Sequence, residues 1–404
     1  MKYWRGFLVA LIFGGFSWAL MDFAKNHTSL IDVVYPYVTR MIQDLLADWS
    51  SSVAFCLWQV LALVLIVGIL ASIVLMIVLR WNPIQVIGWY TAVASLLFFA
   101  HTAIYGLNGS AGPLAEDIRL NITEFTVREM EEAAVYYRDK ANALASQINR
   151  DADGKPQYPD FQTLAEQAGE GFTSLVYDSS YSIFAGSTVP VKELGWADMY
   201  TSMGITGFTM PLTGEAAVNP QIPVVSMPFT MCHEMAHRMT ISKEDDANMA
   251  AFLACQANPR IEFQYSAYFM AYRYCYNGLV KLGTADSQAA AKRVHSGVSE
   301  DFYYDLWSYD SFFAARRDES AAKVATTTNN AYINVSGDER GVEAYDDVSK
   351  LLVSWHIQTV VLPAQMVEDT KFDPYDESQV DLFGYVNGPE VVVPTEGEDA
   401  DDAA

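Results

Sequence analysis

The sequence is poor in cysteine and in positive charge. Its four cysteines are too few for a disulfide scaffold, and their spacing matches no zinc site of the cysteine type. A disulfide bridge between Cys255 and Cys275 could form in an oxidising compartment, although buried, reduced side chains are the simpler interpretation. The 25 basic residues face 49 acidic ones, which gives a formal net charge of -24. A chain this acidic repels phosphate backbones, so nucleic acid is not expected as a partner.

Long apolar runs, by contrast, are plentiful near the start of the 404-residue chain. Three of them, at about 7–21, 53–79 and 84–107, are predicted to be transmembrane helices. The first is interpreted as a retained helix, because no cleavage site with small residues is obvious after it. Residues 1–107 are therefore predicted to be a multi-pass anchor in the cell membrane, with the lipid bilayer as a partner.

The few positive charges of this region predict its orientation. Lys2 and Arg5 precede the first run, and Arg80 lies in the turn between the second and the third. Such short-loop charges favour the cytoplasmic side. Three crossings then place everything after about Leu107 outside the cytoplasm. The loop 22–52 would also lie outside, and part of it could follow the membrane surface.

From residue 108 the pattern predicts a mainly helical domain that extends to about residue 390. The helices are expected at about 124–148, 228–239, 243–256, 259–282, 299–317 and 341–356. Short strands are expected at 207–210 and 216–218, in a segment rich in Gly, Pro, Thr and Val. Residues 391–404 are acidic and nearly free of apolar side chains, which predicts a disordered tail.

The chemistry centres on the HExxH motif, His233-Glu234-Met235-Ala236-His237. Histidines at positions i and i+4 project from one face of a helix, so both can bind the same Zn²⁺ ion. Glu234 would lie beside the metal without binding it. There it could act as the general base towards zinc-activated water and then pass the proton to a leaving amine. The simpler alternative is two ordinary histidines that share a helix face.

A third metal ligand is expected just after the motif. Ser242 is a plausible N-cap, so a second helix should begin there and its first turn could fold back onto the metal. Glu244 is the preferred ligand and Asp246 the alternative, because the two side chains point about 200° apart around a helix. Asp245 is expected only to interact favourably with the positive, N-terminal end of the helix dipole.

Four blocks of sequence carry a resemblance to a known family. They are Pro211–Asn219, His233–His237, Glu244–Phe252 and Phe263–Ser266. These blocks are similar to those of an uncharacterised bacterial family, a domain of unknown function with N-terminal transmembrane helices and an extracytoplasmic HExxH domain. The resemblance covers most of the chain and implies a zincin-like fold, with no substrate named.

The same resemblance bears on the third ligand. The ExxA(N/D) element that begins at Glu244 is similar to the third-ligand motif of several glutamate-zincin peptidases, where the first Glu binds the metal. Two features depart from the pattern. The spacing from His237 to Glu244 is much shorter than in most of those peptidases, and the family often has Glu where this chain has Asp246.

Zincin sites usually add a donor that stabilises the oxyanion of the tetrahedral intermediate. The candidates are Tyr265, Tyr268, His295, Tyr345 and His356. Tyr265 is preferred as the catalytic donor because it lies in a resembling block, while packing of amphipathic aromatics is the alternative for each tyrosine. His295 and His356 are also alternatives to Glu244 as third ligand.

The sequence therefore predicts three transmembrane helices followed by a mainly α, zincin-like domain with a small sheet. Its expected function is a zinc metallopeptidase that hydrolyses peptides or proteins near the outer membrane surface. A sheet edge at 207–210 or 215–219 could pair with an extended substrate. The rival is a catalytically inactive, zinc-containing, membrane-bound binding or sensing module, against which Glu234 argues. Hydrolysis of a non-peptide amide also remains open.

Overall fold

The computed structural model describes residues 2–179, 181–335 and 344–369, and it is mainly helical. Residues up to Ser354 form one compact unit, and a second unit begins at Trp355. The acidic end at 391–404, predicted to be disordered, lies outside the described residues. The four cysteines are free and buried, so Cys255 and Cys275 form no bridge.

The first four long helices include the three predicted membrane helices. The helices are α1 (Arg5–Asn26), α2 (Thr28–Ser50), α3 (Leu57–Val78) and α4 (Pro83–Ile104). Helices α1, α3 and α4 are long and apolar enough to cross a membrane, which confirms the three predicted spans. The helix α2 corrects the sequence analysis, which described its residues only as part of the loop 22–52.

Helices α1 and α4 pack side by side and run in the same direction. Gly6 and Gly88, near the two helix starts, approach so closely that a Cβ on Gly6 would collide with the backbone of Gly88. Further along, the rings of Phe13 and Phe99 lie 5.6 Å apart. Because α3 joins the start of α4 through residues 79–82, it crosses in the opposite direction.

The remaining helices follow these four along the chain. They are α5 (Leu114–Asp117), α6 (Val127–Ala145), α7 (Phe161–Ser179), α8 (Ala197–Met203), α9 (Met227–Arg238), α10 (Glu244–Ala257), α11 (Ile261–Leu282), α12 (Ala285–Ser296), α13 (Glu300–Arg316), α14 (Glu319–Val335), α15 (Ala344–His356) and α16 (Leu362–Asp369). The helices predicted in this region are present, with small shifts at their ends, whereas α5, α7, α8, α12, α14 and α16 were not predicted. Helices α9 and α10 are almost completely buried and form the centre of the domain.

A three-stranded sheet covers one side of α9. Its strands are β1 (Lys192–Glu193), β2 (Gly207–Met210) and β3 (Glu215–Val218), in the spatial order β1-β3-β2. The central strand β3 is parallel to β1 and antiparallel to β2. The turn between β2 and β3 contains Gly214 at φ +64°, where a side chain would be strained and would also collide with the backbone of α2.

The sheet is tied to the start of the membrane helix α3 by a buried carboxylate. Glu215 accepts hydrogen bonds from the backbone N–H groups of Leu57 (2.7 Å) and Trp58 (2.9 Å). These are among the first N–H groups of α3, which have no partner within the helix and favour negative charge. Lys192 completes the arrangement with a 2.7 Å ion pair to Glu215. The helical domain that follows α4 and carries the HExxH motif is named the metal domain below, after its candidate site. It is therefore anchored directly to this end of α3.

Candidate metal centre

The motif helix α9 begins with a proline in its first turn and ends at Arg238. Proline suits this position because its missing N–H would have no partner within the helix. The rings of His233 and His237 share a face of α9, with centroids 4.6 Å apart. The fully buried Arg238 points the other way and donates to the carbonyl oxygens of Ser187 and Val189. This contact fixes the rotation of α9 about its axis.

A tight turn reverses the chain after α9. Thr240 has a left-handed φ of +74°. Its N–H donates to the carbonyl of His237, and the N–H of Ile241 donates to that of Ala236. This is the Schellman arrangement that commonly ends helices, here with threonine where glycine is usual. The turn explains how a third ligand can follow the second histidine at such short spacing.

The next helix, α10, begins at Glu244. Its N-cap is Lys243, which provides no side-chain cap bond, so the prediction of Ser242 as N-cap is wrong by one residue. Glu244 turns towards the histidines of α9. Asp246 turns away and accepts a hydrogen bond of 3.1 Å from the backbone N–H of Leu114. The structure thus groups Glu244, and not Asp246, with the motif histidines.

Three side-chain atoms converge at this point. The Nε2 atoms of His233 and His237 are 3.1 Å apart, and Oε2 of Glu244 lies 3.3 Å from the first and 3.4 Å from the second. In a tetrahedral site with bonds of about 2.0–2.1 Å, neighbouring ligand atoms are about 3.3–3.4 Å apart. The triangle therefore matches one face of such a site. Oε2 is buried, and no hydrogen bond to it is found among the described residues, as expected of an atom that binds a metal.

The second nitrogen of His237 supports this role. Nδ1 lies 2.8 Å from the carbonyl oxygen of Ile241, which can only accept, so Nδ1 carries the proton and donates it. In the neutral ring Nε2 then has its lone pair free for a metal, the arrangement that metal-binding histidines commonly show. The turn at Thr240 provides this carbonyl.

Burial and charge have opposite effects on the pKa values of His237 and Glu244. Burial lowers the pKa of His237, but the Glu244 carboxylate beside it outweighs burial and raises that pKa to about 9. Burial alone would raise the pKa of Glu244, whereas the two histidines hold it well below its usual range. Glu244 is therefore ionised at neutral pH and brings negative charge to the site.

Glu234 lies beside the triangle under the edge strand β2. Its side chain is buried, and the Thr209 hydroxyl donates to Oε2 at 2.7 Å. Burial raises the pKa of Glu234, against the effect of His233 and His237. Gly207, on the same side of β2, leaves room for the carboxylate, since a Cβ there would lie 2.7 Å from Cγ and 2.8 Å from Cδ of Glu234. The sequence analysis did not identify Gly207 or Thr209.

The structure does not bring Tyr265 to this group. Its side chain is fully buried, and its hydroxyl donates to Asp305 at 2.6 Å. Arg150 donates to both oxygens of the same carboxylate, at 3.0 and 2.7 Å. Packing and hydrogen bonding account for Tyr265 here, and its catalytic role stays a prediction.

The structure shows other contacts for two of the remaining candidates. The hydroxyl of Tyr268 accepts a hydrogen bond from Gln256, and Nδ1 of His295 lies 3.3 Å from another tyrosine hydroxyl. Tyr345 lies in α15, but its side chain is not among those that the structure describes. His356 ends α15 in the second unit, and the group of possible metal ligands found among the described residues does not include it.

A further pair near Glu244 was missed by the sequence analysis. Asn248 is buried one turn after Glu244 in α10 and accepts a hydrogen bond of 3.0 Å from the Tyr274 hydroxyl. Burial raises the pKa of Tyr274, and the charge of Glu244 adds to the effect. Asn248 is the final residue of the ExxA(N/D) element and could have been singled out from the sequence. Its partner on α11 could not be identified from spacing.

The end of α9 is hydrogen-bonded to the membrane-proximal helices. The hydroxyl of Tyr105, directly after α4, donates to the carbonyl of His237 at 3.1 Å. Arg40 of α2 donates to the carbonyl of Met239 at 3.2 Å. The candidate metal-binding group therefore lies close to the end of a helix that could span a membrane.

The comparison with protein families gives a match over most of the chain. The profile of a family described as "Protein of unknown function (DUF3810)" matches residues 31–353, which is most of the chain. No curated protein and no solved structure matches the chain.

Proposed function

Since the chain belongs to the DUF3810 family of unknown function, we propose its activity from the candidate site: it is a membrane-anchored zinc metallopeptidase. The observation that carries this proposal is the triangle of His233, His237 and Glu244, with Glu234 beside it. Two histidines and one carboxylate make zinc the expected ion, and three protein ligands leave a fourth position for water or substrate.

The residues around the triangle suit hydrolysis of an amide bond. Zinc, when bound, lowers the pKa of a water ligand and polarises a carbonyl. Glu234 is held in the buried side of the site by Thr209, ready to take a proton and pass it to the leaving amine. A purely structural zinc site tends to fill all four positions with protein ligands and has no use for such a base. This favours the enzyme over the binding or sensing module.

The site's position supports a substrate near the membrane. The edge strand β2 passes over Glu234 and, in the described part of the chain, pairs with a strand only on its β3 side. An extended polypeptide could add to the other side through backbone hydrogen bonds. Arg5 and Arg80 lie at the starts of α1 and α4, whereas Tyr105 at the end of α4 contacts the metal domain. By the positive-inside rule the metal domain is then outside the cytoplasm.

The test is the metal content of the full-length protein in detergent, measured by elemental analysis. The full chain is used because α2 contributes hydrogen bonds to the motif region. The variants His237→Ala and Glu244→Ala are compared with Asp246→Ala, which removes a neighbouring acid of the same first turn. Glu234→Gln is assayed with the wild type on a mixed library of quenched fluorogenic peptides.

We expect about one zinc per chain in the wild type and in Asp246→Ala, and much less in the two ligand variants. Glu234→Gln should keep zinc and cleave none of the peptides that the wild type cleaves. Absence of zinc from the wild type would refute the central claim. Zinc retention together with peptide cleavage by Glu234→Gln would remove the general-base role.

A further inference from the structure

Helix α2 has an exposed apolar stripe along its whole length. The stripe consists of Leu30, Val33, Tyr37, Met41, Leu45 and Trp49, which are each 50–70% exposed. Their spacing of three or four residues puts them on one face of the helix. The exposed acids Asp32 and Asp48 lie near the two ends. A continuous apolar face of this size needs a partner other than water.

The opposite face of α2 is occupied by the metal domain. Arg40 and Gln43 are buried and donate to the carbonyl oxygens of Met239 and Pro211, at 3.2 and 3.1 Å. Asp44 accepts from the N–H group of residue 187 at 2.7 Å. These contacts fix the rotation of α2, so its apolar stripe must face away from the domain. The stripe cannot turn inwards without breaking buried hydrogen bonds.

Both ends of α2 meet ends of membrane helices on the same side of the bilayer. At its start, Ile31 packs with Ala24 of α1 and with Leu107, just after α4. At its end, the Ser50 carbonyl accepts from Lys192, whose ion pair with the carboxylate at residue 215 holds the start of α3. A helix of 23 residues is about 34 Å long. Helix α2 therefore extends from the end of α1 to the region that holds the start of α3.

We propose that α2 is an interfacial helix whose apolar stripe binds the lipid bilayer, at the boundary of headgroups and acyl chains on the side of the metal domain. Helix α2 is joined to α1 by His27 alone and to α3 by residues 51–56, and both of those helices are long and apolar enough to cross a membrane. Lipid is favoured over a second copy for this reason.

The arrangement holds the metal site at the bilayer surface. The stripe faces the lipid, while Arg40 on the other face is bonded to the turn that follows His237. Amphipathic interfacial helices bury their apolar face about 5–10 Å into the headgroup region. On the proposed peptidase function, on which this step rests, the site would then receive polypeptide segments that lie next to the membrane.

Spin labels on single introduced cysteines test this proposal in the full-length protein. Val33→Cys, Met41→Cys and Leu45→Cys place the label on the stripe. Lys292→Cys, at an exposed position of α12, is the matched control. The native cysteines are buried, so the unsubstituted protein measures background labelling. The protein is reconstituted in phosphatidylcholine nanodiscs, and collisions with oxygen and with a water-soluble nickel chelate are measured by EPR.

We expect the three stripe labels to collide readily with oxygen and several times less often with the nickel chelate than the control label does. Nickel accessibility equal to that of the control would place the stripe in water and overturn the proposal. Shielding from both reagents would mean that protein covers the stripe, and dipolar broadening would then identify a second copy. None of these results depends on zinc or on peptidase activity.

Discussion

Replacing Gly207 by alanine should disable the proposed base while leaving the metal ligands in place. A Cβ at this position would lie 2.7 Å from Cγ and 2.8 Å from Cδ of Glu234. Real Cβ contacts are longer, so one group must move. The β2 backbone is paired with β3, with Gly207 opposite Val218, and cannot easily retreat. The Glu234 side chain will therefore rotate away and lose its hydrogen bond from Thr209.

The magnitude follows from the role of the displaced group. A positioned general acid or base contributes about 10²–10⁴-fold to the rate, and a misplacement of about 1 Å can cost 10²-fold. We expect Gly207→Ala to lower turnover of the fluorogenic peptides by about 100-fold or more. Zinc content should not change, because the three atoms nearest to the new methyl group all belong to Glu234, which is not one of the proposed ligands.

Two readouts separate displacement of Glu234 from loss of the metal. Peptide turnover reports the base, and the visible spectrum of the Co²⁺-substituted protein reports the ligand geometry. The control is Gly15→Ala in α1, the same chemical change where no atom lies within 4 Å. The reasoning is refuted if Gly207→Ala keeps wild-type turnover while Glu234→Gln loses it, since the carboxylate would then act without its observed position.

Three further predictions test separate features. Glu244→Ala should lower zinc affinity by more than the roughly 10–100-fold that loss of an outer-shell partner costs, and Asp246→Ala should not; titration with a competing chelator measures both. Equal losses in the two variants would contradict the assigned ligand. Tyr265→Phe should lower stability to unfolding by about 1–3 kcal/mol, because it removes a buried hydrogen bond to Asp305, and leave turnover unchanged. Reduced turnover at unchanged stability would instead support the catalytic role predicted from sequence. Thr240→Gly should be more stable than Thr240→Val by about 1 kcal/mol in thermal unfolding, because glycine relieves the left-handed strain that valine keeps; the opposite order would rule out strain at this turn.

Local patterns in the sequence were enough to predict the membrane spans and the motif helix. An apolar run of spanning length needs lipid wherever it occurs, and the three spans are confirmed. Likewise, the spacing of His233 and His237 puts both on one face of any α-helix, independent of the rest of the fold. These features depend on helix geometry within a few turns, so they can be read from neighbouring residues.

The choice between Glu244 and Asp246 required the tertiary structure. Both acids occupy the first turn of α10, and helix periodicity says only that they point in different directions. The left-handed turn at Thr240 sets the start and direction of α10. The N–H of Leu114 donates a hydrogen bond to Asp246 and so fixes the direction of that side chain. Such contacts join residues far apart in the chain, and no local pattern encodes them.

The same reason applies to the surroundings of the proposed base and to α2. Gly207 and Thr209 matter only because β2 lies over Glu234, and Tyr265 is engaged because the fold brings Asp305 to it. The apolar side of α2 is visible in the sequence, but what lies on its other side is not. Local sequence determines which helices form and which faces are apolar, whereas long-range packing decides which polar groups meet.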